Sequence, residues 1–312
     1  MGVVHGKSTI LLLVLVFTPL VCLLAQPGSM PSPESELILV YVSEKPLIDS
    51  GQMGAFTKAA NFGDTTAQLR LGMTFALPAS AMHDDNQAFR WFQRAAAEQS
   101  PEAMNNLGVL YIQGRGVPRD VASGLRWLQR AADHQLAPAE INVGFAHWNG
   151  WGTAVDHAEA ARWFRRAAQR GFAPAQFAYA FSCDSGDGVA RSWSESAKWY
   201  ERAAKQGHPA AMNNLAVQYE EGRGVHHDPG RARELYEQAV RAGYSPAAGN
   251  MARMLISGQA GKVDAADLCS WLMVARGTDA AAETLFHQHC GSLNPVTLAA
   301  AQRKATGMLP ER

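Results

Sequence analysis

The chain has no excess of charge of either sign. Its 312 residues include 28 Lys and Arg and 28 Asp and Glu, for a formal net charge of zero, and the basic residues are spread along the sequence. Proteins that bind nucleic acid usually concentrate basic side chains where they neutralise phosphates. The charge pattern therefore predicts that the chain has no nucleic-acid partner.

Sequence motifs that carry catalysis are also missing. The sequence contains no Ser-x-x-Lys, Gly-x-Ser-x-Gly or His-Glu-x-x-His, the spacings that place nucleophiles, bases or zinc ligands together. Residues 2–8 imitate a phosphate-binding loop, but the spacing is one residue short and no strand precedes it. We therefore expect no catalytic residues and no cofactor.

Cysteine is scarce, with four residues in the chain. Cys269 and Cys290 are predicted to lie on neighbouring helices, and an exported protein meets conditions that oxidise such a pair. A turn near Gly277, however, would place Cys269 opposite residue 286 rather than 290, and a disulfide requires close Cα atoms. The sequence leaves this disulfide open.

A metal site near the C-terminus is the next possibility to weigh. His287, His289 and Cys290 are donor residues close together in sequence. Two residues apart on a helix, however, side chains point about 200° from each other, so both histidines cannot easily hold one ion. We expect no metal ion here.

Long apolar stretches are confined to the N-terminus. Residues 10–25 form an almost unbroken apolar run of 16 residues, typical of a secretory signal and slightly short for a membrane span. Ala25 suits the last position of a cleaved signal, but Leu23 is bulky where cleavage favours a small residue. A cleaved signal and an uncleaved anchor both remain open. Either predicts export to the periplasm or cell envelope.

What the sequence does have is a repeat of 36 residues. The register is marked by five tryptophans, with Leu235 in the one vacant position, and two alanine columns follow at fixed distances. A fixed period of 20–50 residues indicates stacked supersecondary units. The tryptophans are Trp91, Trp127, Trp163, Trp199 and Trp271; the alanines are Ala67, Ala103, Ala139, Ala175, Ala211 and Ala247, and Ala95, Ala131, Ala167, Ala203, Ala239 and Ala275.

Each repeat is predicted to be a pair of helices. A helix beginning near Pro101 would end at Gly114, because glycine readily adopts the left-handed conformation. A second helix would follow its cap after a short glycine loop. The cap positions all hold good N-cap residues: Asp84, Asp120, Asp156, Ser192, Asp228 and Asp264. Gln87, Glu159 and Glu195 stand three residues later and predict capping boxes.

These residues resemble a known family. Ala103, Leu107–Gly108, Tyr111, Gly114-x-Gly116-Val117, Asp120, Trp127 and Ala131–Ala132 are similar to the Sel-one-like repeat, a relative of the tetratricopeptide repeat. The resemblance covers about residues 60–274 in six units, the first degenerate. It implies an all-α, right-handed α/α superhelical solenoid of about six helix-turn-helix repeats with terminal capping helices. It also implies a protein-interaction scaffold. Some exported members have been linked to β-lactamase-like activity, but their repeats carry cysteine pairs that this chain lacks.

The predicted organisation has five parts. Residues 1–25 are the export signal or anchor, and residues 26–50 hold a linker rich in Pro and Ser and a short apolar run at 37–42 that could pack on the first repeat or not. Residues 51–94 form an N-terminal cap and the degenerate repeat. Residues 95–274 form five repeats, and residues 275–312 form C-terminal capping helices, which an open stack needs to cover its last apolar face.

Two sets of residues are candidates for partner binding. Asparagines recur in one column of the first helix of the repeats, at Asn106, Asn142, Asn214 and Asn250. Because an asparagine amide both donates and accepts, the column could hold the backbone of an extended peptide, or could instead tie neighbouring repeats together. Trp148 and Trp151 lie outside the tryptophan register, and such tryptophans are either binding hot spots or local packing.

The sequence therefore favours a non-catalytic scaffold that binds a protein or peptide in the concave groove of an exported solenoid. No cofactor or metal is expected, and a membrane enters only through the possible N-terminal anchor. The alternative, carried by the family resemblance alone, is an envelope enzyme acting on cell-wall or β-lactam substrates.

Overall fold

The computed structural model describes residues 37, 39, 48–259 and 264–309, and every regular element among them is an α-helix. The apolar run at residues 10–25, Cys22, the linker at residues 26–33 and most of the run at residues 37–42 lie outside the described residues; Leu37 is buried and Leu39 half-buried. Within the described ranges, no helix is both long and apolar enough to cross a membrane.

The helices alternate between the two positions of a repeat. Even-numbered helices from α2 to α12 are the first helices of the repeats, and odd-numbered helices from α3 to α13 are the second helices. They are α1 Met53–Asn61, α2 Thr65–Ala76, α3 Asp85–Ala97, α4 Pro101–Gln113, α5 Val121–Asp133, α6 Ala137–Asn149, α7 His157–Gln169, α8 Ala173–Ser185, α9 Trp193–Lys205, α10 Pro209–Glu221, α11 Pro229–Arg241, α12 Pro246–Ile256, α13 Ala265–Ala275, α14 Ala280–Cys290 and α15 Pro295–Met308. The predicted all-α repeat fold of an α/α solenoid is confirmed. The domain limits at residues 51, 95 and 275 remain predictions.

The described helices form two compact units, divided between Ala167 and Ala168 inside α7. Unit 1 contains α1–α6 and the start of α7; unit 2 runs from the end of α7 to α15. In unit 1, the predicted N-terminal helix is present as α1, and Ile48 before it is buried with Leu71 and Trp91. The Ile48 N–H donates to the Thr74 hydroxyl at 3.0 Å, so this segment is fixed to α2.

Small residues allow the helices to approach closely, as the alanine columns predict. All twelve column alanines are buried. Where glycine replaces a side chain, a ring fills the space: a Cβ on Gly72 would lie 2.5 Å from the Phe92 ring, and one on Gly144 would lie 2.5 Å from the Phe164 ring. Such close packing is felt at the level of single methyl groups. The register tryptophans are buried at 91, 199 and 271 and half-buried at 127 and 163, and Leu235 is buried.

The glycine loops have two distinct physical requirements. Gly114 ends α4 with a φ of 70°, a left-handed conformation that glycine adopts without strain. At Gly116, a Cβ would lie 2.0 Å from the Asp85 carbonyl oxygen, so the loop passes too close to the preceding repeat for any side chain. The first glycine is therefore needed for its conformation and the second also for its size.

The predicted N-caps are confirmed at all six positions, where the side chain accepts a backbone N–H of the following helix. The predicted capping boxes are wrong. The N–H groups of Asp156 and Ser192 donate to backbone carbonyls of the preceding helix at 2.9 and 2.8 Å, so the acid three residues later has no donor to reach. Glu159 pairs with Arg162 instead, and Glu195 accepts from the Trp199 indole at 2.8 Å. The Asp84 N–H likewise donates to the Phe75 carbonyl at 2.9 Å, so Gln87 does not complete a capping box.

The C-terminal end of unit 2 is held by a disulfide. Cys269 in α13 and Cys290 in α14 are bonded, with Cα atoms 6.0 Å apart. The expectation that Cys269 faces residue 286 is wrong: the turn lies at residues 276–278, around Gly277 as predicted, but α14 brings Cys290 to Cys269. The last helix predicted from Pro295 to Met308 is present as α15 and packs mainly on α13.

Candidate functional site

In unit 1 the predicted asparagine column is part of a buried ladder of hydrogen bonds. Asn142 Nδ2 donates to Asn105 Oδ1 at 2.8 Å, and Asn105 Nδ2 donates to Asn106 Oδ1 at 3.1 Å. Asn106 Nδ2 then donates to the Met73 sulfur at 3.1 Å. The three asparagines are 0% exposed. The ladder thus links α6, α4 and α2 within the core of unit 1.

Unit 2 repeats this ladder three repeats further along the chain. Asn250 Nδ2 donates to Asn213 Oδ1 at 2.8 Å, and Asn213 Nδ2 donates to Asn214 Oδ1 at 3.1 Å. The last hydrogen bond of the ladder differs from that in unit 1. In unit 2, Asn214 Nδ2 donates to the Tyr200 hydroxyl at 3.0 Å, and Asn214 is only half-buried. The same ladder is enclosed in unit 1 and reaches the surface in unit 2.

Two of these asparagines, Asn105 and Asn213, were not predicted from the sequence. Each is the central member of its ladder, donating to the next residue and accepting from the next repeat. The signal was present as consecutive asparagines at residues 105–106 and 213–214. A pair of amides in adjacent positions can pass one hydrogen bond along a helix and another across to its neighbour.

Charged groups extend the ladder in unit 2. The Arg253 guanidinium donates to Asn250 Oδ1 and, at 2.6 Å, to Asp279 Oδ2. Arg253 is exposed and Asp279 half-buried. Hydrogen bonds to charged groups contribute about 1.5–3 kcal/mol each, more than neutral ones. The ladder therefore ends in an ion pair that fixes both groups near the surface.

Carboxylates and tyrosines stand beside the ladder in unit 2. The Tyr236 hydroxyl donates to Glu220 Oε2 at 2.7 Å, and burial raises the pKa of Glu220. Gln218 Nε2 donates to Asp184 Oδ1 at 3.1 Å. Burial, followed by the Asp184 charge, raises the pKa of Tyr200, and burial and the Glu220 charge do the same for Tyr236. Both hydroxyls therefore stay protonated, with Tyr236 donating to Glu220 and Tyr200 accepting from Asn214.

We call Asp184, Asn214, Glu220, Arg253 and Asp279 the polar face of unit 2. In two columns of the repeat, unit 1 carries apolar side chains where the first two repeats of unit 2 carry carboxylates or tyrosines. The carboxylate column holds Ala76, Ile112 and Trp148 in unit 1 and Asp184, Glu220 and, in the last repeat, Ile256 in unit 2; the tyrosine column holds Phe92, Leu128 and Phe164 in unit 1 and Tyr200, Tyr236 and, in the last repeat, Leu272 in unit 2.

The second predicted set, the off-register tryptophans, lies in unit 1. Trp148 is half-buried, and its ring stacks on His157 with centroids 4.2 Å apart. Trp151 is buried, as is Phe145, which meets Phe164 edge-on at 5.2 Å. Of this set, Trp148 keeps more exposed surface than Trp151.

His208 is a functional group that sequence reasoning did not single out. It caps α10, since its Nδ1 accepts the Ala211 N–H at 3.3 Å, and its ring stacks on Phe177 at 4.8 Å. Burial lowers the pKa of His208 to about 4. The cap requires an unprotonated Nδ1, and the lowered pKa keeps the ring in that state near neutral pH.

The residues weighed as metal donors have other partners. Cys290 is bonded to Cys269, and His287 Nε2 lies 3.0 Å from Glu283 Oε1. Among the residues that the structure describes, no group of three His, Cys, Asp or Glu side chains could hold a metal ion. The Cys183 thiol is buried in α8.

Comparison with solved structures supports the fold. The chain is similar to the protective antigen c5321 of uropathogenic Escherichia coli, which displays an SLR fold, with 27% identity and a TM-score of 0.66. The match covers 82% of this chain and 56% of the antigen, so the chain spans little more than half of that protein. A Sel1 repeat protein from Oxalobacter formigenes matches with 25% identity and a TM-score of 0.62, covering 82% of this chain and 98% of that one. No curated protein sequence matches.

The sequence model of the Sel1 repeat matches five consecutive segments of 36 residues: 65–100, 101–136, 137–172, 173–208 and 209–244. These segments cover more than half of the chain, and each contains one first and one second helix. Sel1 repeat proteins are generally non-enzymatic and typically act as protein-interaction scaffolds. The predicted resemblance is confirmed, and the chain belongs to the Sel1 repeat family.

Proposed function

We propose that this chain is a non-catalytic scaffold of the cell envelope that binds a protein or peptide partner through the polar face of unit 2. The observation that carries the proposal is the open end of the asparagine ladder. Asn214 is half-buried, is held by the Tyr200 hydroxyl, and lies in the same network as Arg253 and Asp279. A polar group that is fixed before binding loses little entropy when a partner arrives.

Under this proposal, only some asparagines of the predicted column contact the partner. Asn106 and Asn142 are 0% exposed and act within the core of unit 1, while Asn250 is 9% exposed and orients Arg253. We assign partner contact to Asn214 and support of that contact to Asn250. Trp148 is a second candidate contact, in unit 1, where its half-buried ring stacks on His157.

The groups on the polar face suit the backbone and side chains of an extended peptide. An asparagine amide offers both a donor and an acceptor to a peptide backbone. The Glu220 and Asp184 carboxylates accept hydrogen bonds from partner donors, and Arg253 offers a fork for a carboxylate. The partner is therefore expected to bind by polar contacts more than by burial of apolar surface.

Two observations support an envelope location. The apolar run at residues 10–25 has the length and composition of an export signal or anchor. The disulfide between Cys269 and Cys290 is of the kind that persists in oxidising compartments and is rare in the cytosol.

Site-specific crosslinking in the native host tests this function. A photoreactive amino acid at Val217, one turn after Asn214 in α10 and half-buried, should capture a defined partner. The same group at Gln238, exposed on α11, is the control and should not. Substitution of Asn214 by Ala should then abolish the crosslink while the helical signal is retained. Equal capture from both positions, or capture that survives Asn214→Ala, would contradict the proposal.

A further inference from the structure

Unit 1 carries a second ordered surface, made of cations on its second helices and on α1. Basic residues that are scattered in the sequence fall into two columns with a period of 36 residues, and all of them are exposed. We call this set the cationic face. It consists of Lys58, Arg94, Arg130 and Arg166 in one column and Arg90, Arg126 and Arg162 in the other.

Three of these arginines are held over tryptophan rings. The guanidinium carbons of Arg94, Arg130 and Arg166 lie 4.8, 4.4 and 4.4 Å from the ring centroids of the tryptophans three residues earlier. Stacking of this kind buries the aliphatic stem and leaves the charged end in water. The charges are therefore positioned in advance and point away from the core.

Few carboxylates neutralise the cationic face. Among the described residues, Lys58, Arg90, Arg94, Arg126 and Arg130 form no ion pair. Arg126 donates to the Ser123 hydroxyl, although its charge also acts on Asp120. Two members of the face do form ion pairs, Arg162 with Glu159 and Arg166 with Glu140. The other carboxylates of these helices are the exposed Glu98 and Asp133. The aspartates that precede the helices act as N-caps: Asp84, Asp120 and Asp156.

On the second helices of unit 2 this arrangement is found at one position, where the exposed Arg202 of α9 lies 4.3 Å from the centroid of the Trp199 ring. Five other cations there pair with a carboxylate three or four residues away on the same helix: Lys198 with Glu195, Lys205 with Glu201, Arg231 with Glu234, and Arg233 and Arg241 with Glu237. Exposed ion pairs of this kind leave little net charge for a partner. Among the described residues, a row of several unpaired cations is therefore found in unit 1, and unit 2 continues it with Arg202 alone.

An exposed aromatic ring lies beside the cationic face. Phe62 follows α1 directly, and its side chain is 83% exposed. Its neighbour Asn61 accepts a hydrogen bond from Arg94 Nη1 at 2.9 Å, which places Phe62 next to the row of cations. Cations flanked by a protruding aromatic ring are typical of surfaces that rest on a lipid interface.

We propose that the cationic face of unit 1 docks on an anionic lipid surface, with the arginines on lipid phosphates and Phe62 in the interfacial layer. Arginine forks match phosphate oxygens, and each basic residue near an anionic surface strengthens binding about fivefold. Phe62 and the apolar run at residues 10–25 favour a membrane over an acidic protein or nucleic acid, because stable attachment takes two signals. This docking does not depend on the polar face of unit 2.

Vesicle binding by the full chain tests the proposal. Binding is measured to vesicles of phosphatidylcholine alone and of phosphatidylcholine mixed with phosphatidylglycerol, so that any contribution of the apolar run is common to both. The wild type should prefer the anionic vesicles, and the preference should shrink with added salt. Replacement of Arg90, Arg94, Arg126 and Arg130 by Gln should weaken binding to anionic vesicles by about 600-fold. The matched control replaces Lys205, Arg231, Arg233 and Arg241 by Gln and should change it little.

A single substitution tests the proposal independently of whether the fourfold variant folds. Phe62→Ser removes an exposed ring and should lower anionic-vesicle binding without changing the helical signal. Equal binding of the wild type to both kinds of vesicle, or full binding by the folded fourfold variant, overturns the proposal. It is also overturned if polyglutamate or single-stranded RNA binds the wild type as tightly as the anionic vesicles and Phe62→Ser leaves vesicle binding intact.

Discussion

Units 1 and 2 contain the same asparagine ladder but place it in different surroundings. In unit 1 the ladder ends on the Met73 sulfur and all three asparagines are sealed from water. In unit 2 it ends on the Tyr200 hydroxyl and on the charged pair of Arg253 and Asp279, with Asn214 half-buried. The ladder is thus part of the repeat framework, and its surroundings decide whether it can meet a partner.

The difference arises in columns that the repeat does not fix. The alanine columns and the glycine loops are shared by both units because close helix packing and tight turns demand them. The carboxylate and tyrosine columns are free to change, from Ile112 and Leu128 in unit 1 to Glu220 and Tyr236 in unit 2. A repeat protein can therefore acquire a polar face in one region without altering its framework.

The largest effect is expected at the centre of the sealed ladder. Asn105→Ala removes the partner of Asn142 Nδ2 and of Asn106 Oδ1 in a region closed to water, at about 1–3 kcal/mol for each group, or about 4 kcal/mol in total. Asn213→Ala is the matched change in unit 2. It should cost about 2 kcal/mol, because the buried Asn250 Nδ2 loses its acceptor whereas the half-buried Asn214 can bond to water.

Urea unfolding followed by hydrogen exchange and mass spectrometry separates these losses, because peptides from α4 and α10 report on the two units separately. Equal losses in the two variants would contradict the contrast between a sealed and an open ladder.

The next largest loss of stability is expected from removal of the disulfide, which lies in unit 2. Replacing Cys269 and Cys290 together by Ala should lower the free energy of unfolding of unit 2 by about 3 kcal/mol, since the bond closes a loop with a sequence separation of 21. Hydrogen exchange should increase in α13 and α14 and stay unchanged in α2 to α5. Faster exchange in unit 1 would show that the two units do not unfold separately.

Acid should destabilise unit 2 through His208. Its pKa is about 4 in the folded protein and 6.5 in the unfolded chain, so the unfolded chain binds more protons between these values. This contribution to stability is therefore complete above pH 6.5 and falls by about 3 kcal/mol as the pH drops to 4. In unit 1, the matching N-cap positions hold Asp64, Ser100 and Leu136, none of which is a histidine. His208→Ser keeps a cap and should remove this component of the pH dependence, as measured by urea unfolding at a series of pH values.

The smallest effect is expected from one hydroxyl on the polar face. Tyr236→Phe removes the hydrogen bond to Glu220, which opposes the effect of burial, so the pKa of Glu220 should rise further. The cost in stability should be about 1 kcal/mol. A carboxyl carbon NMR titration of Glu220 measures the shift. An unchanged or lowered pKa would mean that this pair does not form in solution.

The sequence was sufficient to predict the framework, because its signals are local and periodic. Helix starts at Asp120 or Ser192 and the helix end at Gly114 follow from backbone chemistry that any copy of the repeat must satisfy. The capping boxes failed for a non-local reason. The N–H of Ser192 meets the Cys183 carbonyl across the loop, and that contact depends on how the preceding helix ends.

The candidate site was predictable only in part. The asparagine column could be read from the period, but the burial of Asn106 and the exposure of Asn214 depend on neighbours in other helices. Sequence spacing alone does not show that Met73 receives one amide and Tyr200 the other. The cationic face was missed for a similar reason, since evenly spread arginines become a surface only when the repeats are stacked.

Side-chain amide exchange, followed by NMR on the assigned Asn Nδ2 groups, tests the contrast between the two units most directly. Our account predicts that the amide protons of Asn214 exchange with solvent at least about tenfold faster than those of its counterpart Asn106, because only the former lies near water. Equal protection of the two amides would show that the ladder is closed in both units and would contradict the assignment of the polar face of unit 2 as the partner-binding surface.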